Sequence, residues 1–375
     1  MRTPVASISR RTGLLLSVSA SVMFLAASGT AHAADPAGTA TSLAAFGGMN
    51  GLIAAAKKEG VLNVIALPPD WANYGVMIKT FEKKYGIKIV SAQPDADSQD
   101  EINAATRLRG EKRAPDVFDL GINVALADTA LFAPYKVSEW NDIPDNLKDQ
   151  NGGWYADYGG YASIGYDAKR VPAITQVSDL LKPAFRGMVA LNGNPTRASA
   201  GFHGVMMVAL ASGGSAGNIA PGVAFFHKLQ QLGNFLPVDP TPATVASGQT
   251  PVVIDWEYLN LAESKEVKGT IDWKVVVPPG HPVAAYYVQA INKDAPHPAA
   301  ARLWEEFVYS NQGQNIWLQG YARPVRLDAM VKAGTVDKAA LAQLPKVSGT
   351  PVILTQAQLK TDQAYLLAHW DQAVQ

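Results

Sequence analysis

The sequence predicts an α/β fold made of two successive sets of strands and helices, and three observations predict it. Short, mostly apolar runs such as Val61 to Leu67 alternate with stretches of helical period, the pattern of parallel strands buried on both faces. Glycines stand where helices must stop, at Gly60 and Gly86. A second set of the same alternation begins at Gly187. Repeated strand-loop-helix units imply a sheet with helices on both faces.

The elements follow in order. Arg2, Arg10 and Arg11 precede an apolar run, Gly13 to Ala27, and the small-residue site Ala31-His32-Ala33, so residues 1–33 are expected to be a signal peptide cut before Ala34. Ser9-Arg10-Arg11 fits a twin-arginine signal and an ordinary secretory signal alike. The Ala/Gly/Thr-rich stretch 34–45 reads as a mobile leader. Leu52, Ile53, Ala56 and Lys57 lie on a helix, Val61 to Leu67 on a strand, and Val76 to Tyr85 on a second helix. A strand at Ile87 to Ser91, a helix at Ser98 to Gly110 and a strand at Asp116 to Leu120 complete the first set. The second comprises strands at Met188 to Leu191, Pro251 to Ile254 and Trp273 to Val277, with helices at Ser199 to Ser212 and Pro221 to Leu232. Tyr287 to Ile291 resumes strand character before a helix at Pro298 to Tyr309.

Composition excludes several functions. The chain has no cysteine, which removes disulfides, thiolate metal sites and lipid anchoring on a cysteine after the cut. Without the leader's three arginines, 29 basic residues face 32 acidic ones, a balance that argues against nucleic acid as a partner. No later run reaches the length of a membrane span. A nucleophile elbow, a zinc-protease helix motif, a phosphate loop and a dinucleotide fingerprint are all missing. The expectation is therefore a freely diffusing protein in a bacterial periplasm that is not an enzyme, with no cofactor and no metal.

Four stretches carry a resemblance. They are Thr80-Phe81-Glu82-Lys83-Lys84-Tyr85-Gly86-Ile87-Lys88-Ile89, Ala114-Pro115-Asp116-Val117, Ser247-Gly248-Gln249-Thr250-Pro251-Val252-Val253-Ile254, and Asn292-Lys293-Asp294-Ala295-Pro296-His297-Pro298 running on to Ser310-Asn311-Gln312-Gly313-Gln314. On these the chain resembles the periplasmic solute-binding proteins of ATP-driven (ABC) importers, in the branch with the iron, polyamine, thiamine and phosphonate binders. The resemblance implies the two-lobed type II binding-protein fold, each lobe a mostly parallel sheet with flanking helices. It places residues 46–166 in lobe one, 167–284 in lobe two and 285–375 back in lobe one. It also implies hinge closure on a small-molecule ligand, delivery to membrane permease subunits, and a monomer.

Loop position then nominates cleft residues, because ligands meet the carboxyl ends of strands. Asp70, Trp71, Asn73 and Tyr74 follow the first strand and offer a charge, aromatic surfaces and an amide. Ser98 and Gln99 open a helix whose free N–H groups suit an anion or carbonyl. Thr196 and Arg197 lead into an apolar helix, where Arg197 offers a bidentate fork. Asp255, Trp256 and Tyr258 follow a buried strand, with Glu257 between them, and suit an ammonium by charge and cation–π contact. Of Tyr286 and Tyr287 on the returning strand, alternation sends one ring to the cleft and the other to the core; Tyr286 is taken as the cleft ring.

Ligand narrowing goes by subtraction. Tyr286-Tyr287 matches the tyrosine pair of the iron binders, but the other nominees add only Tyr258 as phenol. Polyamine binders carry an acid on the returning strand, and Ala285-Tyr286-Tyr287-Val288-Gln289 has none, so Asp70, Asp255 or Glu257 would have to substitute. A small amine-bearing solute, polyamine-like or aminophosphonate-like, is the expectation. The alternatives are a ferric-ion binder and a secreted hydrolase pairing Asp255 or Glu257 with Asp70.

Overall fold

A computed structural model describes residues 36–375 apart from His281; the expected signal peptide lies outside the described residues. The main elements in chain order are α1 (Met49–Glu59), β1 (Val61–Ile65), α2 (Tyr74–Tyr85), β2 (Lys88–Ala92), α3 (Ser98–Arg107), β3 (Val117–Gly121) and β4 (Tyr155–Asp167). There follow β5 (Val189–Leu191), α4 (Ser199–Ala211), α5 (Ala220–Gln231), β6 (Val252–Trp256), α6 (Glu257–Glu266) and β7 (Trp273–Val276). The last are β8 (Ala284–Asn292), α7 (Pro298–Val308), α8 (Asn311–Gln319), β9 (Arg323–Pro324) and α9 (Gln356–Val374). Gly60 and Gly86 end α1 and α2 in the left-handed conformation, which costs a glycine nothing.

Two strands organise the rest. The first half of β4 pairs antiparallel with β8, Gly159 opposite Tyr286, and its second half pairs antiparallel with β6 and β7, Ile164 opposite both Ile254 and Val276. β3 also pairs antiparallel with β8, while β1–β2 and β5–β6 are parallel pairs. The sheets are thus more mixed than the expected mostly parallel ones, because β4 and β8 run against their neighbours. The sequence pattern did not reveal β4: buried Asp157 and the Gly159-Gly160 pair interrupt its apolar character.

Two cores form on either side of this crossing. The first gathers β1, β3 and β8 with α1, α2 and α7. Within it Phe81 meets Trp304 and Phe307 edge-on, at centroid distances of 5.4 and 5.6 Å. The second gathers β5 and β6 with α4, α5 and α9.

Two boundaries differ from expectation. Residues 285–375 were assigned together to lobe one, but Leu359, Leu366 and Trp370 of α9 are buried in the second core, Trp370 5.2 Å from the Phe226 ring. An apolar stripe goes where complementary apolar surface lies, and α5 supplies it. Likewise the part of the leader from residue 36 is packed on the fold: Pro36–Thr39 forms a helical turn, and buried Arg302 of α7 donates to the carbonyls of Gly38 and Ala40 at 3.0 and 2.8 Å.

Glycine at the crossing has a steric reason. A Cβ on Gly160 would come within 2.3 Å of the Glu257 carboxylate and 2.7 Å of the Tyr258 ring. Gly160→Ala is therefore expected to destabilise the fold by about 1–3 kcal/mol through overpacking, read as a lowered denaturation midpoint; an unchanged midpoint would show that Glu257 and Tyr258 yield freely.

Candidate ligand-binding cleft

At the junction of the two cores, elements from both meet end to end. The start of α3 is held by a capping box between Asp97 and Asp100. Ser98 Oγ accepts the Gly121 N–H at 2.9 Å, and buried Glu101 accepts the Asp119 N–H at 3.0 Å. Gly121 faces Ser199 at the start of α4, where any Cβ would fall 2.5 Å from the serine Cβ. Beside it Arg197 donates to Asp97 at 2.7 Å and to Asp100 at 2.6 Å, an ion pair that joins the loop before α4 to the cap of α3.

Behind the junction lies a buried polar network. Tyr74 and Tyr158 both donate to Asp119 Oδ2, at 2.8 and 2.9 Å, and Gln289 Nε2 donates to Asp157 at 2.8 Å. Burial pushes the Asp119 carboxyl up, and burial together with the Asp119 charge pushes Asp157 up. Trp71 Nε1 donates to the Tyr158 hydroxyl at 2.8 Å, so the network orients Trp71.

In front of it stands an aromatic cluster. Tyr287 stacks on Tyr158 with centroids 5.5 Å apart and meets Trp71 edge-on at 5.8 Å. From the second half of the chain, Trp256 stacks with Tyr258 at 6.1 Å and donates through Nε1 to the Tyr287 hydroxyl at 3.4 Å. His203 packs 5.2 Å from Trp256. Burial lowers its pKa to about 4, and its Nδ1 lies 2.9 Å from the Ser199 carbonyl. That assigns the proton to Nδ1 and leaves Nε2 an acceptor. The Tyr258 hydroxyl is buried with no hydrogen-bond partner among the described residues.

Asp255 completes the set. Its carboxylate accepts the Trp256 N–H at 2.7 Å, and burial pushes its pKa up to about 7 against the pull of that bond and of one from Asn192. Among the described residues no basic side chain forms an ion pair with Glu101, Asp119, Asp157 or Asp255, and Arg197 is taken up by Asp97 and Asp100. The junction therefore concentrates acids beside aromatic faces without a cation to balance them.

Of the nominated residues, Trp71, Asp255, Trp256 and Tyr258 come together here. Tyr74 and Ser98 lie just behind, spent on Asp119 and on the Gly121 amide. Arg197 spans the junction but is committed to two aspartates, so it acts as a strut. Five others point elsewhere. Asp70 is exposed; burial pushes Glu263 up to about 7, and the charges of Glu266 and Asp70 add to that push. Asn73 in a left-handed turn donates to the Ile316 carbonyl and so anchors α8. Gln99 bonds Asn103, and Thr196 bonds Asn194. Tyr286 lies over Gly159, while Tyr287 is the ring at the junction; alternation is as expected, but the register with β4 selects the other member of the pair. Glu257 pairs with Arg323 of β9 and accepts the Tyr161 N–H, within hydrogen-bond reach of both.

The residues missed are Asp119, Asp157, Tyr158, His203 and Tyr287. Asp119, an acid inside a buried strand, and Ser199/His203 four apart on an apolar helix were readable signals; Asp157 and Tyr158 became visible only with β4.

A two-core α/β molecule with hydrogen-bonding groups gathered between the cores has the build of a solute-binding protein. The chain belongs to the bacterial extracellular solute-binding proteins, whose family profile matches residues 115–346. Its fold is that of type II periplasmic binding proteins. It is similar to the ferric binding protein from Campylobacter jejuni (17% identity, 83% of this chain and 99% of that one, TM-score 0.61). It is also similar to the binding protein AgtB from A. tumefaciens R10 in complex with agropinic acid (13%, 84% and 98%, 0.65). A third similar structure is AfuA from Actinobacillus pleuropneumoniae with fructose-6-phosphate bound (17%, 84% and 98%, 0.61). At such identities the likeness is one of fold. No curated protein sequence matches the chain.

The strut gives a test. Its partners are partly exposed, so it contributes at most about 1 kcal/mol. Arg197→Ala should shift the ligand-free protein toward open forms by up to about fivefold, seen as a larger radius of gyration in small-angle scattering; an unchanged radius would mean that the pair does not hold the junction closed.

Proposed function

We propose that this protein captures a small solute carrying a protonated amine at the junction of its two lobes and delivers it, outside the cytoplasm, to the permease of an ABC importer. Asp255 carries the reading. It is a buried carboxylate between Trp256 and Asn192 with no ion-pair partner among the described residues, and an ammonium would supply the missing countercharge. Trp256, Tyr258 and Tyr287 stand beside it, and Tyr158 and Trp71 pack on those rings, so aromatic faces supply the other half of ammonium recognition. The Tyr258 hydroxyl and His203 Nε2 add hydrogen-bonding capacity for the ligand's polar atoms.

One alternative is weakened. A hydrolase pairing Asp255 or Glu257 with Asp70 has little support, since Asp70 is exposed and Glu257 is spent on Arg323.

The test is a thermal-shift screen of amines, amino acids, aminophosphonates and ferric salts, followed by calorimetry. For an amine that binds, Asp255→Asn should cost roughly 2–5 kcal/mol of affinity while leaving the ligand-free protein at least as stable at pH 8, because an unpaired buried charge is removed. The sign with pH follows from a carboxyl raised to about 7: below it the acid holds its proton and attracts no ammonium, so affinity should rise as pH climbs through 7 and then level. Stabilisation by ferric salts but by no amine would reject the reading.

A further inference from the structure

A groove of about 580 Å³ lies away from the aromatic junction, between the end of α6, β7 and Tyr321. Four lysines line it, Lys169, Lys265, Lys268 and Lys274, against a single acid, Asp272. Asp272 is already paired with Lys274 at 2.7 Å, and the other three lysines form no ion pair among the described residues. In a chain whose acids and bases balance at 32 each, this is a local excess of positive charge. The dipole at the end of α6 gives Lys265 and Lys268 a structural reason. It gives none for Lys169, which follows β4, or for Lys274 on β7, yet all four converge. The wall between them is apolar and aromatic: Trp273, buried with an indole N–H that has no partner among the described residues, together with Leu261, Ile271 and Tyr321.

We propose that this groove docks the protein on the phosphate headgroups of an anionic phospholipid surface. Four exposed lysines on flexible stems, with no arginine fork, suit diffuse attraction to many phosphates better than recognition of one small anion. Tyr321, half-buried in the groove wall, adds an amphipathic ring of the kind enriched at the headgroup level of a bilayer. Such docking would hold a solute carrier near the membrane independently of what it carries.

Co-sedimentation of the purified protein with vesicles tests this. In low salt it should bind vesicles of phosphatidylglycerol and phosphatidylcholine but not of phosphatidylcholine alone, and lose binding as salt screens the charges. Replacing all four groove lysines (Lys169→Gln, Lys265→Gln, Lys268→Gln, Lys274→Gln) should weaken binding at least tenfold, given roughly fivefold per lysine near an anionic surface. A charge-matched control (Lys57→Gln, Lys58→Gln, Lys83→Gln, Lys84→Gln) should stay within about twofold. Both variants need unchanged melting curves. No binding to anionic vesicles, equal loss in both variants, or groove-dependent stabilisation by inorganic pyrophosphate without vesicle binding would overturn the proposal, the last by showing a small-anion pocket.

Discussion

The structure depends on one strand belonging to two sheets. Tyr155–Asp167 gives its first half to β8 and its second half to β6 and β7, so the two cores are built on a common backbone and their facing loops are brought to a fixed meeting place. Gly159 and Gly160 sit where allegiance changes. Side chains there would strike the Ala285 carbonyl, Glu257 and Tyr258. The crossing is braced by Glu257, buried against Arg323 and the Tyr161 amide. Burying an ion pair contributes little net stability but makes breaking it costly, so the crossing is held together.

From that crossing the chemistry of the junction follows. Carboxylates approach from both sides, Asp119 and Asp157 with the first core and Asp255 with β6, and all feel burial before they feel any cation. The first pair is satisfied by tyrosines and Gln289 and serves to orient Tyr158 and Trp71. Asp255 has amides only. A protein that keeps a carboxylate in this condition bears a destabilising group in its empty state, which is the usual sign of a residue kept for function. Arg197 does not relieve it, being engaged at the rim by Asp97 and Asp100.

Much of this was legible in the sequence, and the lapses have physical causes. Helices ending at Gly60 and Gly86 and apolar strands such as β1 and β6 declared themselves through local rules that tertiary packing had no reason to override. Asp255, Trp256 and Tyr258 were nominated as a polar-aromatic run directly after a buried strand, and the structure brings them together at the junction. Of β4 only the end near Ile164 to Asp167 was expected, as a crossing implied by the family resemblance; its start stayed hidden because its polar and glycine residues are those a shared strand needs, and with it went Asp157, Tyr158 and the register that selects Tyr287 over Tyr286. The destination of α9 was equally unreadable, since an amphipathic helix states that it will pack but not against which core.

The central claim, that a buried and partly protonated Asp255 receives the ligand's ammonium, is tested most directly by counting protons on binding. Calorimetry of a bound amine in buffers of differing ionisation enthalpy yields that number. With the carboxyl near pH 7 in the empty protein, close to one proton should be released per ligand at pH 6 and almost none at pH 8.5, and Asp255→Asn should abolish the difference. Binding at pH 6 without proton release, or with proton uptake, would contradict the account.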